Sequence, residues 1–133
     1  MAHKYPNIKV RTADADYLRE VEKWYEVLMP QFEDNLYGNN GSIIMVQVEN
    51  EYGAFKVCDK DYLNFLRDET LKYTNDKAVL FTTDRPIDDE LRCGLIEGVF
   101  ATTDFGIASQ EEILFNFNKL VFILDYVKDT HIY

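Results

Sequence analysis

Apolar positions along the chain fall into two patterns, a helical period and continuous runs. From Asp14 onward Tyr17, Leu18, Val21, Trp24, Tyr25 and Leu28 fall three or four residues apart, Asp14 or Asp16 is available as an N-cap, and Pro30 stands near the end, so an amphipathic helix is expected. NLYGNNG, from Asn35 to Gly41, is dense in turn formers and leads into Ser42 to Val48, a continuous apolar run without the alternation of a half-exposed strand. That run predicts a strand covered on both faces. Asp59 then caps a second helix reaching about Thr74, with Tyr62, Phe65, Leu66 and Tyr73 on one side. Ala78 to Thr83 reads as a second buried strand, Asp88 to Cys93 as a short helix and Gly98 to Thr103 as a third strand.

Helices alternating with strands are the pattern of a parallel sheet joined by crossovers, an α/β architecture. In such sheets ligands gather at the carboxyl ends of the strands, and here those ends carry Glu51, Asp84 and Asp104. Acids also begin loops and cap helices, and Asp84 and Asp104 suit that plainer role. The same alternation would serve a nucleotide-binding domain, but neither GxGxxG nor GxxxxGK[ST] follows any strand. SQEEILFNFNKLVFILDYVKDTHIY breaks the pattern, with apolar residues on every side of any helix drawn through it. An irregularly placed helix or ill-packed tail is expected over 111–133.

Composition narrows the function classes. The chain has 133 residues, 47% of them hydrophobic and 14% aromatic, enough for one small packed domain. Its 24 acidic and 14 basic residues leave a formal charge of -10, which repels phosphate backbones and anionic lipid. Nucleic acid and membrane surfaces are therefore poor partners. Ile113 to Val127 is interrupted by polar residues and is shorter than the roughly 20 residues of a membrane helix. MAHKYPNIKV has no signal-peptide pattern. His3, His131, Cys58 and Cys93 lack metal-ligand spacing, so no metal is expected, and the two cysteines leave a choice between one disulfide and two buried thiols.

The densest chemistry lies in VENEYG, Val48 to Gly53, where an apolar run ends in two carboxylates, an amide and a tyrosine. Desolvation at a strand end and a second acid nearby both raise a carboxyl pKa, which suits a general acid. Glycoside cleavage needs such a proton donor and a second carboxylate, separated by about 5 Å when configuration is retained. An amide can hold a sugar hydroxyl, and a tyrosine can stack or hydrogen-bond. Ordinary loop polarity would account for the same residues taken singly.

VQVENEYG resembles the acid/base motif of glycoside hydrolase family 35, the β-galactosidases of lysosomal type. YPNIKVRTADADYLREVEKW is similar to the segment before that family's third barrel helix, LYGNNGSIIMVQVENEYGAF to its fourth strand, CDKDYLNFL to its fourth helix, VLFTTD to its fifth strand and GVFATTDFG to its sixth. The matching is collinear over roughly residues 5–107. It implies a partial (β/α)8 barrel, strands four to six with their helices, over 1–107, followed by a divergent tail over 108–133. It further implies retaining hydrolysis of terminal β-galactosides of glycans or glycolipids, Glu51 as acid/base, Asn50 as a sugar-binding neighbour, and no cofactor. Glu49, on the same side of the strand by alternation but deeper, is expected to be a buried, paired acid. The resemblance also pairs Cys58 with Cys93, as in animal members of the family, and implies a lysosomal or secreted location. Asn40, Gly41 and Ser42 form a glycosylation sequon whose position against a strand expected to be buried argues against its use.

One part of the family's machinery has no match. Its nucleophile is a glutamate in a motif resembling NSEFY, and no such motif occurs in these residues, so no nucleophile is assigned. The change of character near residue 108 reads as a truncated gene model or alternative transcript. The alternative function is accordingly a catalytically incomplete product, at most binding sugar weakly or associating through exposed barrel edges, with itself or with another protein.

Overall fold

In a computed structural model the described residues are 5–104, 111, 114–116 and 118. They form two compact units, Met1–Val46 with Asp59–Val79, and Gln47–Cys58 with Leu80–Tyr133. The expected tail over 108–133 is described only at Glu111, Leu114 to Asn116 and Asn118, which are helical, and otherwise lies outside the described residues.

In the first unit helix α1 spans Ala15–Leu28. The Asp14 carboxylate caps it by accepting the backbone N–H groups of Asp16 and Tyr17, both at 3.1 Å. Helix α2 spans Lys60–Thr74 and is capped by Asp59, which accepts the Tyr62 N–H at 3.1 Å. The other oxygen of Asp59 accepts the Ala13 N–H at 2.8 Å, so one carboxylate starts α2 and ties down the chain just ahead of α1. The Tyr17 and Tyr62 rings lie 5.9 Å apart, tilted by 40°, as expected where two apolar helix faces meet.

The two helices bury their stripes to different extents. In α2, Tyr62, Leu63, Leu66, Thr70 and Thr74 are buried, and each threonine hydroxyl donates to the carbonyl four residues back. Leu63 thus takes the place in the core expected for Phe65, which is half-buried. No residue of α1 is fully buried, and Trp24 and Val27 remain 59% and 64% exposed. Periodicity marks which face of a helix is apolar, while how much of that face is covered depends on the neighbours available.

A tight turn closes this unit. The Tyr37 N–H donates to the Ile43 carbonyl at 2.9 Å and the Ile43 N–H to the Asn35 carbonyl at 2.8 Å. Gly38 comes so close to Lys77 that an added Cβ would lie 2.7 Å from the Lys77 Cβ, and its N–H donates to the Lys77 carbonyl at 2.9 Å.

Strand β1 spans Met45–Asn50, its last four residues belonging to the second unit, β2 spans Val79–Asp84 and β3 spans Phe100–Thr103. They form a parallel sheet in the order β1-β2-β3. Between β2 and β3 the register pairs Phe81 with Phe100 and continues to Asp84 with Thr103. Threonine hydroxyls reinforce it: Thr83 and Thr102 share a 2.9 Å bond, Thr102 donates to the Thr82 carbonyl at 2.8 Å and Thr103 to the Asp84 carbonyl at 2.9 Å. Helix α3, Asp88–Gly94, places Leu91 in an apolar cluster with Ala101 and Leu95.

Full coverage of the first two strands is not what the fold provides. Of β1 only Val48 is buried, and Ile44 just before it and Met45 are exposed. Along β2 burial alternates, with Leu80, Thr82 and Asp84 inside and Val79 exposed. An unbroken apolar run permits burial on both faces but supplies no layer to cover the second.

Candidate active site

The strand β1 ends one residue before Glu51, and the backbone changes direction there. Glu51 adopts the left-handed conformation, with φ 51° and ψ 37°, and opens a short 3-10 turn over Tyr52–Phe55. Such a conformation is unfavourable for a side chain with a Cβ and persists where the surroundings enforce it, at about 1–3 kcal/mol. The enforcement is visible. The Glu51 N–H donates to the Thr83 carbonyl at 2.7 Å, and its own carbonyl accepts the Ala54 N–H at 3.1 Å. Strand geometry ends at Asn50, so the alternation used to relate Glu49 to Glu51 does not extend to Glu51.

Side chains around the strand end divide into held and unheld groups. The Asn50 amide oxygen accepts from Gln47 Nε2 at 2.9 Å, and a Glu49 carboxylate oxygen accepts the Asn50 N–H at 2.5 Å. Glu49 is half-buried, not the buried acid expected. Glu51 is also half-buried, and among the described residues nothing donates a hydrogen bond to its carboxylate.

Asp84, at the end of β2, fastens the loop that follows Glu51. It is 3% exposed, and its Oδ1 accepts the Gly53 N–H at 2.9 Å. A carboxylate bonded to a backbone N–H is a charge-assisted bond, stronger than an amide pair. Gly94 makes room for that carboxylate, and Gly53 for the Glu90 backbone. A Cβ on Gly94 would lie 1.8 Å from Asp84 Oδ2, and one on Gly53 would lie 2.2 Å from the Glu90 carbonyl oxygen and 2.4 Å from its Cα. The Tyr52–Phe55 turn and α3 are thus in direct backbone approach, and the Cys58–Cys93 disulfide, with Cα atoms 5.2 Å apart, joins the same loop to the same helix. Gly53→Ala is expected to destabilise the chain beyond the roughly 1–3 kcal/mol of ordinary overpacking, since the obstruction is backbone. A urea-unfolding free energy within about 0.5 kcal/mol of wild type, within the range of surface substitutions, would refute this close approach.

Sequence reasoning missed Asp84 as an anchor because an acid ending a strand reads as a loop opener. A glycine close after a cysteine in a short helix was the available hint, and it has no meaning until the carboxylate beside it is placed. Arg85 was missed as well. Its guanidinium forms a two-point pair with Glu90, Nε to Oε2 at 2.8 Å and Nη2 to Oε1. Glu90 above all, with Glu51 and Asp104 adding smaller attractions, raises the Arg85 pKa and holds it charged.

Among the described residues no group of three His, Cys, Asp or Glu is placed to hold a metal, and no helix is long and apolar enough to cross a membrane. Asp104, exposed, donates its N–H to the Asp84 carbonyl at 3.1 Å and so continues the parallel ladder past β3.

Comparison with known proteins gives this geometry its context. Residues 2–123 match the family model of glycosyl hydrolases family 35. The chain is 47% identical over 103 residues to a human beta-galactosidase, a match covering 77% of this chain and 15% of that protein. It is 48% identical over 102 residues to the beta-galactosidase of Macaca fascicularis, covering 77% and 15%. With the mouse beta-galactosidase-1-like protein it shares 44% identity over 111 residues, covering 84% and 17%. The chain thus spans about 15–17% of the length of these relatives. Given a match across most of its length, the chain belongs to family 35 of the glycosyl hydrolases.

Proposed function

We propose that the chain carries the acid/base portion of a retaining β-galactosidase site, with Glu51 as the acid/base and Asn50 as the neighbour that binds a galactose hydroxyl. The observation that carries this reading is the left-handed Glu51 at the carboxyl end of a parallel strand, its carboxylate accepting no hydrogen bond among the described residues. A strained residue at such a strand end is where barrel enzymes keep their chemistry. In the proposed cycle Glu51 first protonates the glycosidic oxygen of the leaving group while a second carboxylate attacks the anomeric carbon. It then takes a proton from the water that hydrolyses the glycosyl-enzyme. Asp84 acts as a positioning residue, holding Gly53 and through it the turn that Glu51 opens. The sheet β1-β2-β3 belongs, on this reading, to strands four to six of a (β/α)8 barrel, with 1–107 the barrel segment and 108–133 a divergent tail. A lysosomal or secreted location accords with the Cys58–Cys93 disulfide.

A second reading has its own support. No motif resembling NSEFY occurs in the 133 residues, so the attacking carboxylate has no assigned residue, and the polypeptide taken alone is a catalytically incomplete product. Both readings are tested by one comparison. Residues 5–107 replace the aligned segment of a β-galactosidase relative, and hydrolysis of an aryl β-galactoside at acidic pH is measured for this chimaera and for the chain alone. Turnover by the chimaera and none by the chain is the expected result. A folded but inert chimaera would sink the assignment of the acid/base portion. Turnover by the chain alone, abolished in Glu51→Gln, would show that a carboxylate within it acts as nucleophile and would dismiss the second reading.

A further inference from the structure

We propose that Asn40 is an acceptor for an N-linked glycan. Asn40, Gly41 and Ser42 satisfy the Asn-X-Ser pattern, with glycine in the middle position, where proline is excluded. The sequence argument against use was burial against a strand, and the structure removes it. The strand begins only at Met45, and both Asn40 and Ser42 are exposed.

The turn directs its backbone inward and its side chains outward. The Asn40 N–H donates to the Tyr37 carbonyl at 3.0 Å and the Gly41 N–H to the Leu36 carbonyl at 3.0 Å. Neither the Asn40 amide nor the Ser42 hydroxyl has a hydrogen bond among the described residues. Asn40 sits in the left-handed region, φ 66° and ψ 19°, which asparagine tolerates better than other residues with a Cβ. Gly41 is required in its own right, since a Cβ there would meet the Asn35 carbonyl carbon and oxygen at 2.1 Å. The backbone thus selects Asn and Gly at these two positions, and the serine completes the acceptor. Asn39 is a natural contrast: its amide donates to the Glu33 carbonyl at 2.7 Å, and glycine, not a hydroxyl residue, stands two places on.

An independent observation concerns compartment. The Cys58–Cys93 disulfide persists where the surroundings are oxidising, and in the secretory route those are the surroundings in which glycans are transferred. The donor is a lipid pyrophosphate-linked oligosaccharide. The Asn40 amide nitrogen bonds to the anomeric carbon, the bond from that carbon to the phosphate oxygen breaks, the lipid pyrophosphate leaves with the electron pair, and the amide gives up one proton to a base of the transferase.

The test is translation of the full chain behind a cleavable leader in the presence of microsomes. Protease-protected chain is then compared on gels before and after treatment with an amide-cleaving peptide N-glycosidase. A single slower band that collapses on treatment is expected, with conversion of Asn40 to aspartate seen by mass spectrometry. Asn40→Gln and Ser42→Ala should each lose the shift, and Asn39→Gln should keep it. An unshifted band for protected wild-type chain, or a shift surviving both Asn40→Gln and Ser42→Ala, would overturn the proposal. Ser42→Ala leaves the turn residues Asn40 and Gly41 untouched, so its loss of the shift is not a folding effect.

Discussion

Glu51→Gln, placed in the chimaera that carries residues 5–107, is expected to lower kcat/KM for a β-galactoside with a poor leaving group by about 10²–10⁴-fold, the usual contribution of a positioned general acid or base. Glutamine keeps the size of the side chain and cannot release a proton at these pH values. The loss should depend on the substrate in a way that a mere structural defect would not. With a strongly acidic phenol as leaving group the first step needs little protonation, so the glycosyl-enzyme forms and accumulates, and the second step, now without a base, becomes limiting. Added azide, a nucleophile that needs no base, should then restore turnover and give a glycosyl azide of retained configuration. Equal losses for good and poor leaving groups, with no azide rescue, would assign Glu51 to folding or binding instead. Undiminished activity would remove it from the site.

Loss of the Cys58–Cys93 bond is expected to cost about 3–4 kcal/mol, the chain entropy that returns to the unfolded state when a loop of 35 residues is released. Against the about 5–15 kcal/mol of an ordinary domain this is a large share. Urea unfolding of wild type against Cys58→Ser with Cys93→Ser measures it directly, and a difference below about 1 kcal/mol would contradict the loop-entropy account. The position of the bond gives the prediction a second part. The loop after Glu51 is held near its start by the Gly53 N–H on Asp84 and at its end by Cys58, so backbone hydrogen exchange of Gly53 and Ala54 should rise in the double mutant. Unchanged exchange at Gly53 would show that Asp84 holds the turn unaided.

How far the molecule could be read from its residues varied with the distance over which each feature is made. Asp14 and Asp59 cap helices through groups two or three residues away; Asp59 was legible as a cap from spacing, while the choice between Asp14 and Asp16 was left to the structure. Strands β2 and β3, and the acids at their ends, were legible from short apolar runs bounded by turn residues. The strand expected over Ser42 to Val48 begins only at Met45, continues through Glu49 and Asn50, and is not covered on both faces. Phe65 and Leu63 exchanged places in the core for a related reason, since both lie within the arc of a helix that can face inward.

The ENEYG motif shows the division most clearly. Its order of residues pointed to a family, and the match over residues 2–123 bears out that membership. Local sequence also determined the capped helices, the α/β alternation and the pairing partners of two cysteines through the resemblance. Only the tertiary structure decided that Glu51 takes a left-handed backbone, that Glu49 is half-buried, that Arg85 pairs with Glu90, and that Asn40 stands in an exposed turn. Asp84 meets Gly53 across 31 residues of chain and needs Gly94 beside it to fit. Contacts of that kind depend on which faces meet after the sheet and helices assemble, and no period or spacing along the chain encodes which pairs will meet. Spacing could say where an acid stood, and the packing of three segments decided what it could hold.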